Sequence, residues 1–154
     1  MNADVYELAR ASLLGHEGER LQAYDDATGK VVGPGDFVQG FVTVGVGRNL
    51  IGKGLTASES RHLFDNDITE VEAGLDARFP WWRSLSIGRQ VALFDFAFNQ
   101  GPAKLQRVWP NTMRMLEAGN YAGFSASLRK APWYAQVGPA RGEAVCRGIE
   151  KGGV

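Results

Sequence analysis

The sequence predicts an α+β fold: a small N-terminal lobe built on a β-hairpin, a larger helical C-terminal lobe, and an active-site cleft between them. Three observations lead there. Apolar residues recur at helical spacing over about residues 3–15 and again from Thr56 to the end of the chain. Between these runs, about Leu21 to Val46 is rich in β-branched residues and is punctuated by Gly33-Pro34-Gly35-Asp36. A chain of 154 residues with 44% hydrophobic content is long enough to bury one good core. The expectation is a single domain, with a β lobe over about 17–55 and a helical part over about 1–15 and 56–154.

Each element has a local reason. In the first helix Val5, Leu8, Ala9 and Leu13 fall near one face, and Gly15 and Gly18 bracket its end. Glu17 therefore stands at a helix C-terminus. If the turn at 33–36 closes an antiparallel pair with Gly33 opposite Asp36, facing residues have numbers summing to 69. Asp26 then faces Thr43, with Cβ atoms about 5 Å apart. A shift of one residue would put the two on different faces. Thr56-Ala57-Ser58-Glu59 reads as a capping box and starts a helix lined by Phe64, Ile68, Val71 and Leu75, which Pro80 closes. Residues 87–100 carry Val91, Leu93, Phe94, Phe96, Ala97 and Phe98, apolar on nearly every side, as a buried central helix requires. Shorter helices are expected at about 110–118, 120–130 and 139–149, punctuated by Pro110, Gly119, Pro132 and Pro139.

Composition excludes several classes. No signal-peptide pattern opens the chain and no stretch is apolar enough to span a membrane. The lone Cys146 precludes an internal disulfide. No His/Cys cluster has metal-ligand spacing, and Gly45-Val46-Gly47 lacks the rest of a nucleotide fingerprint, so neither metal nor cofactor is expected. Formal net charge is zero but uneven: residues 101–154 hold eight Lys/Arg against three Asp/Glu. That split suits either a solvated surface or a face for an anionic polymer. No nucleic-acid reader motif accompanies it.

The residues that carry chemistry stand in one window, in the order Glu17, Asp26, Thr43. An acid, a second carboxylate and a hydroxyl that can hold a water are what hydrolysis of a glycosidic bond requires. Each also has a plain structural reading. A lone Glu is usually solvated, Asp26 is placed to form an Asx turn beside Thr28-Gly29 with Asp25 competing for its role, and Thr43 suits any strand. His16 at the helix end packs or meets solvent. Trp81, Trp82, Trp109 and Trp133 are placed either to stack on sugars or to fill the core.

Taken together these segments resemble the phage-type lysozymes, glycoside hydrolase family 24 of the T-even phage kind, over nearly the whole chain. The carriers are Glu17-Gly18, eight residues leading to Asp26, the Thr-x-Gly-x-Gly run at 43–47 and its continuation Gly47-Arg48-Asn49-Leu50. Phe98-Asn99-Gln100-Gly101 and Pro132-Trp133-Tyr134 resemble later parts of that family. Arg141 matches a family arginine that pairs with the catalytic glutamate. At position 48 many members have His. The family leaves about five residues between its aspartate and threonine, whereas sixteen intervene here, enough for a longer hairpin.

The resemblance implies a lysozyme-like fold and a muramidase that cuts the β-1,4 bond between N-acetylmuramic acid and N-acetylglucosamine. Glu17 would be the general acid, which calls for partial burial. Asp26 would stay ionised, and Thr43 would hold the attacking water, so inversion is expected. Arg141 would orient Glu17. Apart from the resemblance, Asn99 and Gln100 end the buried helix near the expected cleft, a position from which to hydrogen-bond an N-acetyl group. The partner would be bacterial peptidoglycan, met by a monomer synthesised in the host cytoplasm and released to the wall through a holin. A lytic transglycosylase and a non-catalytic wall-binding tail component are the alternatives; Asp26 and Thr43 argue against the former.

Overall fold

A computed structural model describes residues 3–153. It divides the chain into two compact units, Met1–Arg61 and His62–Val154. The architecture is α+β, with one small antiparallel sheet near the N-terminus and helices elsewhere.

The first unit opens with α1 (Ala3–Glu17). Gly18, at φ +67°, donates its amide to Leu14 O and ends the helix in the left-handed conformation glycine adopts without strain. Strands β1 (Arg20–Asp25), β2 (Val42–Gly45) and β3 (Arg48–Asn49) follow in the spatial order β1-β2-β3. A single turn, α2 (Leu50–Lys53), is capped by the Asn49 side chain, which accepts from the Gly52 amide.

The capping box starts α3 (Ala57–Arg78), which runs on into the second unit. Glu59 accepts from the Thr56 amide at 2.7 Å, and the Thr56 hydroxyl accepts from the Glu59 amide at 3.2 Å. Arg48 adds a bidentate pair to Glu59, at 2.6 and 2.8 Å, and also donates to Gly54 O, tying the sheet exit to the helix start.

In the second unit a 3-10 turn (Pro80–Ser84) leads to α4 (Ile87–Gln100), α5 (Pro102–Val108), α6 (Pro110–Glu117), α7 (Tyr121–Lys130), α8 (Pro132–Val137) and α9 (Pro139–Lys151). Four of these helices begin on proline, whose missing N–H has no intrahelical partner to lose in the first turn. The core lies here. Leu75, Leu93, Phe96, Leu105, Leu116, Phe124, Leu128 and Ile149 are fully buried. Phe96 is its centre, with the rings of Trp109, Phe124 and Trp133 edge-on to it at 5.2, 6.0 and 4.8 Å. As expected for a central helix, α4 buries Ala92, Leu93, Phe96 and Ala97, although Val91 is exposed.

The register of β1 against β2 differs from the expected one. Tyr24 stands opposite Thr43 and Asp25 opposite Val42, an offset of two from the pairing that placed Asp26 opposite Thr43. The turn itself forms, with the Asp36 amide donating to Gly33 O and the Gly33 amide to Asp36 Oδ2. It does not close a long β1–β2 ladder, because residues 30–32 return to β1 instead. Tyr24 bridges Val31, Asp25 N donates to Lys30 O, and Val32 N donates to Ala23 O. The residues between Asp26 and β2 thus fold as a compact loop rather than a longer hairpin.

Candidate functional site

Glu17, Asp26 and Thr43 all belong to the first unit. Glu17 is the last residue of α1, so its carboxylate leaves the helix beside the turn between β2 and β3. There it meets Gly47: a Cβ built on that glycine would stand 3.0 Å from Glu17 Oε2. Gly47 also has φ +66°, which a side chain would strain. Within its own unit Glu17 is exposed, so the burial expected of a general acid does not come from this unit.

Asp26 follows β1 directly. Its amide donates to Phe41 O at 3.1 Å, and its Oδ1 accepts from the Phe41 amide at 2.6 Å. These bonds extend the β1–β2 register by one residue, so Asp26 is a diagonal neighbour of Thr43 rather than its direct partner. An even offset leaves the alternation of faces unchanged. Diagonal neighbours on one face lie about 7–8 Å apart, wider than the direct pair first expected. Thr43 is buried, and its hydroxyl donates to Phe41 O at 3.3 Å.

The adjacent Asp25 has a different job. It is buried, and its carboxylate accepts from four donors: the amides of Ala27, Gln39 and Gly40 and the Thr28 hydroxyl. The Gln39 amide does most to hold its carboxyl below the usual aspartate range. The Gly40 and Ala27 amides and the Thr28 hydroxyl add to it, and desolvation opposes them. The two aspartates thus differ in geometry: Asp25 is spent on the loop, whereas among the described residues no donor meets Asp26 Oδ2.

The remaining expected residues belong to the helical unit. Arg141 donates through Nε and Nη2 to Asp95 Oδ1, the first at 3.0 Å. Asn99 Oδ1 accepts from Trp133 Nε1 and from Gln100 Nε2, both at 2.8 Å. Trp133 is buried against Phe96, so this indole serves the core and Asn99 helps to anchor it.

The model of the family described as phage lysozyme matches residues 15–151. The chain belongs to this family. It is accordingly a glycoside hydrolase whose substrate is peptidoglycan. The matched span includes Glu17, Asp26, Thr43, Asn99, Gln100 and Arg141. No curated protein matches the chain. Among the described residues this lysozyme has no cluster of three or more His, Cys, Asp or Glu fit to hold a metal ion. None of its described helices is long and apolar enough to cross a membrane.

Two features of the site escaped the sequence reading. The doublet Asp25-Asp26 before Ala27-Thr28 signalled a turn, yet nothing in it says that amides fourteen and fifteen residues on will return to Asp25. Gly47 belongs to a recognisable Thr-x-Gly-x-Gly run, but its contact with Glu17 becomes visible only once α1 is laid beside the sheet.

Proposed function

We propose that this lysozyme is a muramidase. It hydrolyses the β-1,4 bond between N-acetylmuramic acid and N-acetylglucosamine with inversion at the anomeric carbon, in the service of host-cell lysis. The observation that carries the reading is the placement of Asp26 and Thr43 as diagonal neighbours of one parity, in the same unit as Glu17.

Glu17 is the general acid: its carboxyl gives a proton to the leaving glycosidic oxygen as the C1–O bond breaks. Positive charge then develops at C1 and the ring oxygen, and the Asp26 carboxylate stabilises it. A water between Asp26 and the sugar attacks C1 from the opposite face. The Thr43 hydroxyl, whose proton is directed to Phe41 O, has lone pairs left to accept one hydrogen of that water. Asp26 takes the other as the new C1–O bond forms. The enzyme ends with Glu17 ionised and Asp26 protonated, and solvent returns both to their starting states. A held water demands the wider carboxyl spacing of an inverting enzyme. In the helical unit, Asn99 and Gln100 serve the N-acetyl groups and Arg141 serves orientation. Release to the wall takes place through a holin.

Mass spectrometry of purified peptidoglycan after digestion tests this, with Glu17→Gln alongside. Muropeptides ending in reducing N-acetylmuramic acid, formed by the wild type alone, are expected. Anhydro ends would make the protein a transglycosylase, and products from both proteins would remove Glu17 from the chemistry. Proton NMR of the fresh reducing end reads the anomer, and a retained β-anomer would overturn inversion.

A further inference from the structure

The inserted segment between Asp26 and Thr43 ends in three consecutive amides aimed at two consecutive carboxylates. Gln39 N donates to Asp25 Oδ2 at 3.0 Å, Gly40 N to Asp25 Oδ1 at 2.9 Å, and Phe41 N to Asp26 Oδ1 at 2.6 Å. The Ala27 amide and the Thr28 hydroxyl hold Asp25 from the start of the loop, each at 3.1 Å. One buried carboxylate therefore joins both ends of the loop and fixes where its returning backbone passes Asp26.

At the middle of the three amides stands a glycine. A Cβ on Gly40 would fall 2.1 Å from Asp26 Oδ1, 2.8 Å from Ala27 Cβ and 2.9 Å from Ala27 N. Its φ is not positive, so no backbone strain calls for glycine here. What calls for it is the space already taken by the Asp26 carboxylate. We propose that the 27–41 loop is a clamp that positions the Asp26 carboxylate, with Asp25 as its fastening and Gly40 as the positioning residue against which that carboxylate lies. This rests on the reading of Asp26 given under Proposed function. It assigns the insertion to the chemistry of the site rather than to reach over the glycan.

Gly40→Ala is the direct test because it keeps every loop amide as a donor while its Cβ displaces the Asp26 carboxylate and presses on the Ala27 backbone. A displacement of about 1 Å at a reacting group costs up to about a hundredfold in rate. The expected result is a kcat about 10- to 100-fold lower with KM within about twofold of wild type, and a shifted Asp26 Cγ resonance in carbon-detected NMR. Adding Ala27→Gly removes the contact with Ala27 Cβ and leaves those with Asp26 Oδ1 and Ala27 N, so kcat should stay low. Wild-type kcat in Gly40→Ala, or recovery of kcat on adding Ala27→Gly, would overturn the clamp. Asp26→Asn separates this inference from the reading beneath it. If that variant keeps wild-type kcat, the catalytic role of Asp26 falls. The Cγ resonance then decides the clamp alone, moved by Gly40→Ala in support or unmoved against it.

Discussion

Gly47 lies against the carboxylate of Glu17, close enough that a Cβ at this position would come within 3.0 Å of Oε2. Two costs of a side chain at Gly47 can be separated, because Gly45 shares its backbone but not its neighbour. Gly45 has φ +64° and Gly47 φ +66°, yet a Cβ on Gly45 would meet nothing within 4 Å. An L residue in the left-handed region costs about 1–2 kcal/mol. Gly45→Ala and Gly47→Ala should therefore lower the thermal midpoint by similar amounts. Only Gly47→Ala should also lower kcat, by about tenfold, since it alone moves Glu17. Equal kcat in the two variants would detach Gly47 from the acid.

The two neighbouring aspartates should separate stability from rate. Asp25 accepts from four donors, and an Asn there turns an N–H₂ group toward amides that already donate. Asp25→Asn should lower the urea midpoint clearly and reduce kcat by the smaller factor. Among the described residues only the Phe41 amide donates to the Asp26 carboxylate. Asp26→Asn should leave the midpoint nearly unchanged and cost kcat a hundredfold or more. Urea melts and initial rates on soluble peptidoglycan fragments decide it, and the reverse order would exchange the roles of the two residues.

The legible parts of this fold were those set by side-chain period and capping. The Thr56–Glu59 box, the buried face of α4 and the end of α1 at Glu17 each depend on a handful of adjacent residues, and each stands where that chemistry puts it. Helices α5 and α8 gave no such signal, since seven and six residues make under two turns and their starts are set by proline. The register of β1 on β2 was missed for a different reason. A turn at 33–36 suggests a ladder only when its two arms pair with each other. Here one arm pairs with β1 through Val31, and the other is drawn in by the Asp25 carboxylate. Bonds to backbone amides leave no mark in the side-chain pattern. Because the slip is even, Asp26 and Thr43 keep the same parity along their strands.

Acid should weaken the helical unit through one carboxylate in particular. Glu143 accepts from both Arg129 Nη2 at 2.9 Å and Nε at 3.0 Å, and also from Arg147 and Tyr134. The Arg129 hydrogen bonds are the main reason that its pKa falls from 4.5 to about 2. A folded pKa below the unfolded one means stability that is fully present above about 4.5 and is lost as pH falls toward about 2. Glu143→Gln should therefore be less stable than wild type at pH 6 and converge with it near pH 2. Urea midpoints across that range would show the two curves closing, and parallel curves would refute the assignment.

The positive charge of the C-terminal third should make lysis sensitive to salt. Arg129, Arg141 and Arg147 are already paired with carboxylates. Lys104, Arg107, Arg114 and Lys130 are exposed, and among the described residues no ion pair engages them. Cations of this kind act on an anionic wall through a field that reaches about 10 Å at 0.1 M salt and about 3 Å at 1 M. The effect belongs to association, so KM on intact walls should rise with salt while kcat on short neutral fragments stays flat. Lys104→Glu combined with Arg107→Glu and Arg114→Glu should raise KM on walls at low salt and flatten its salt dependence. Lysis rates that do not change between 0.05 and ~0.5 M salt would remove these residues from wall binding.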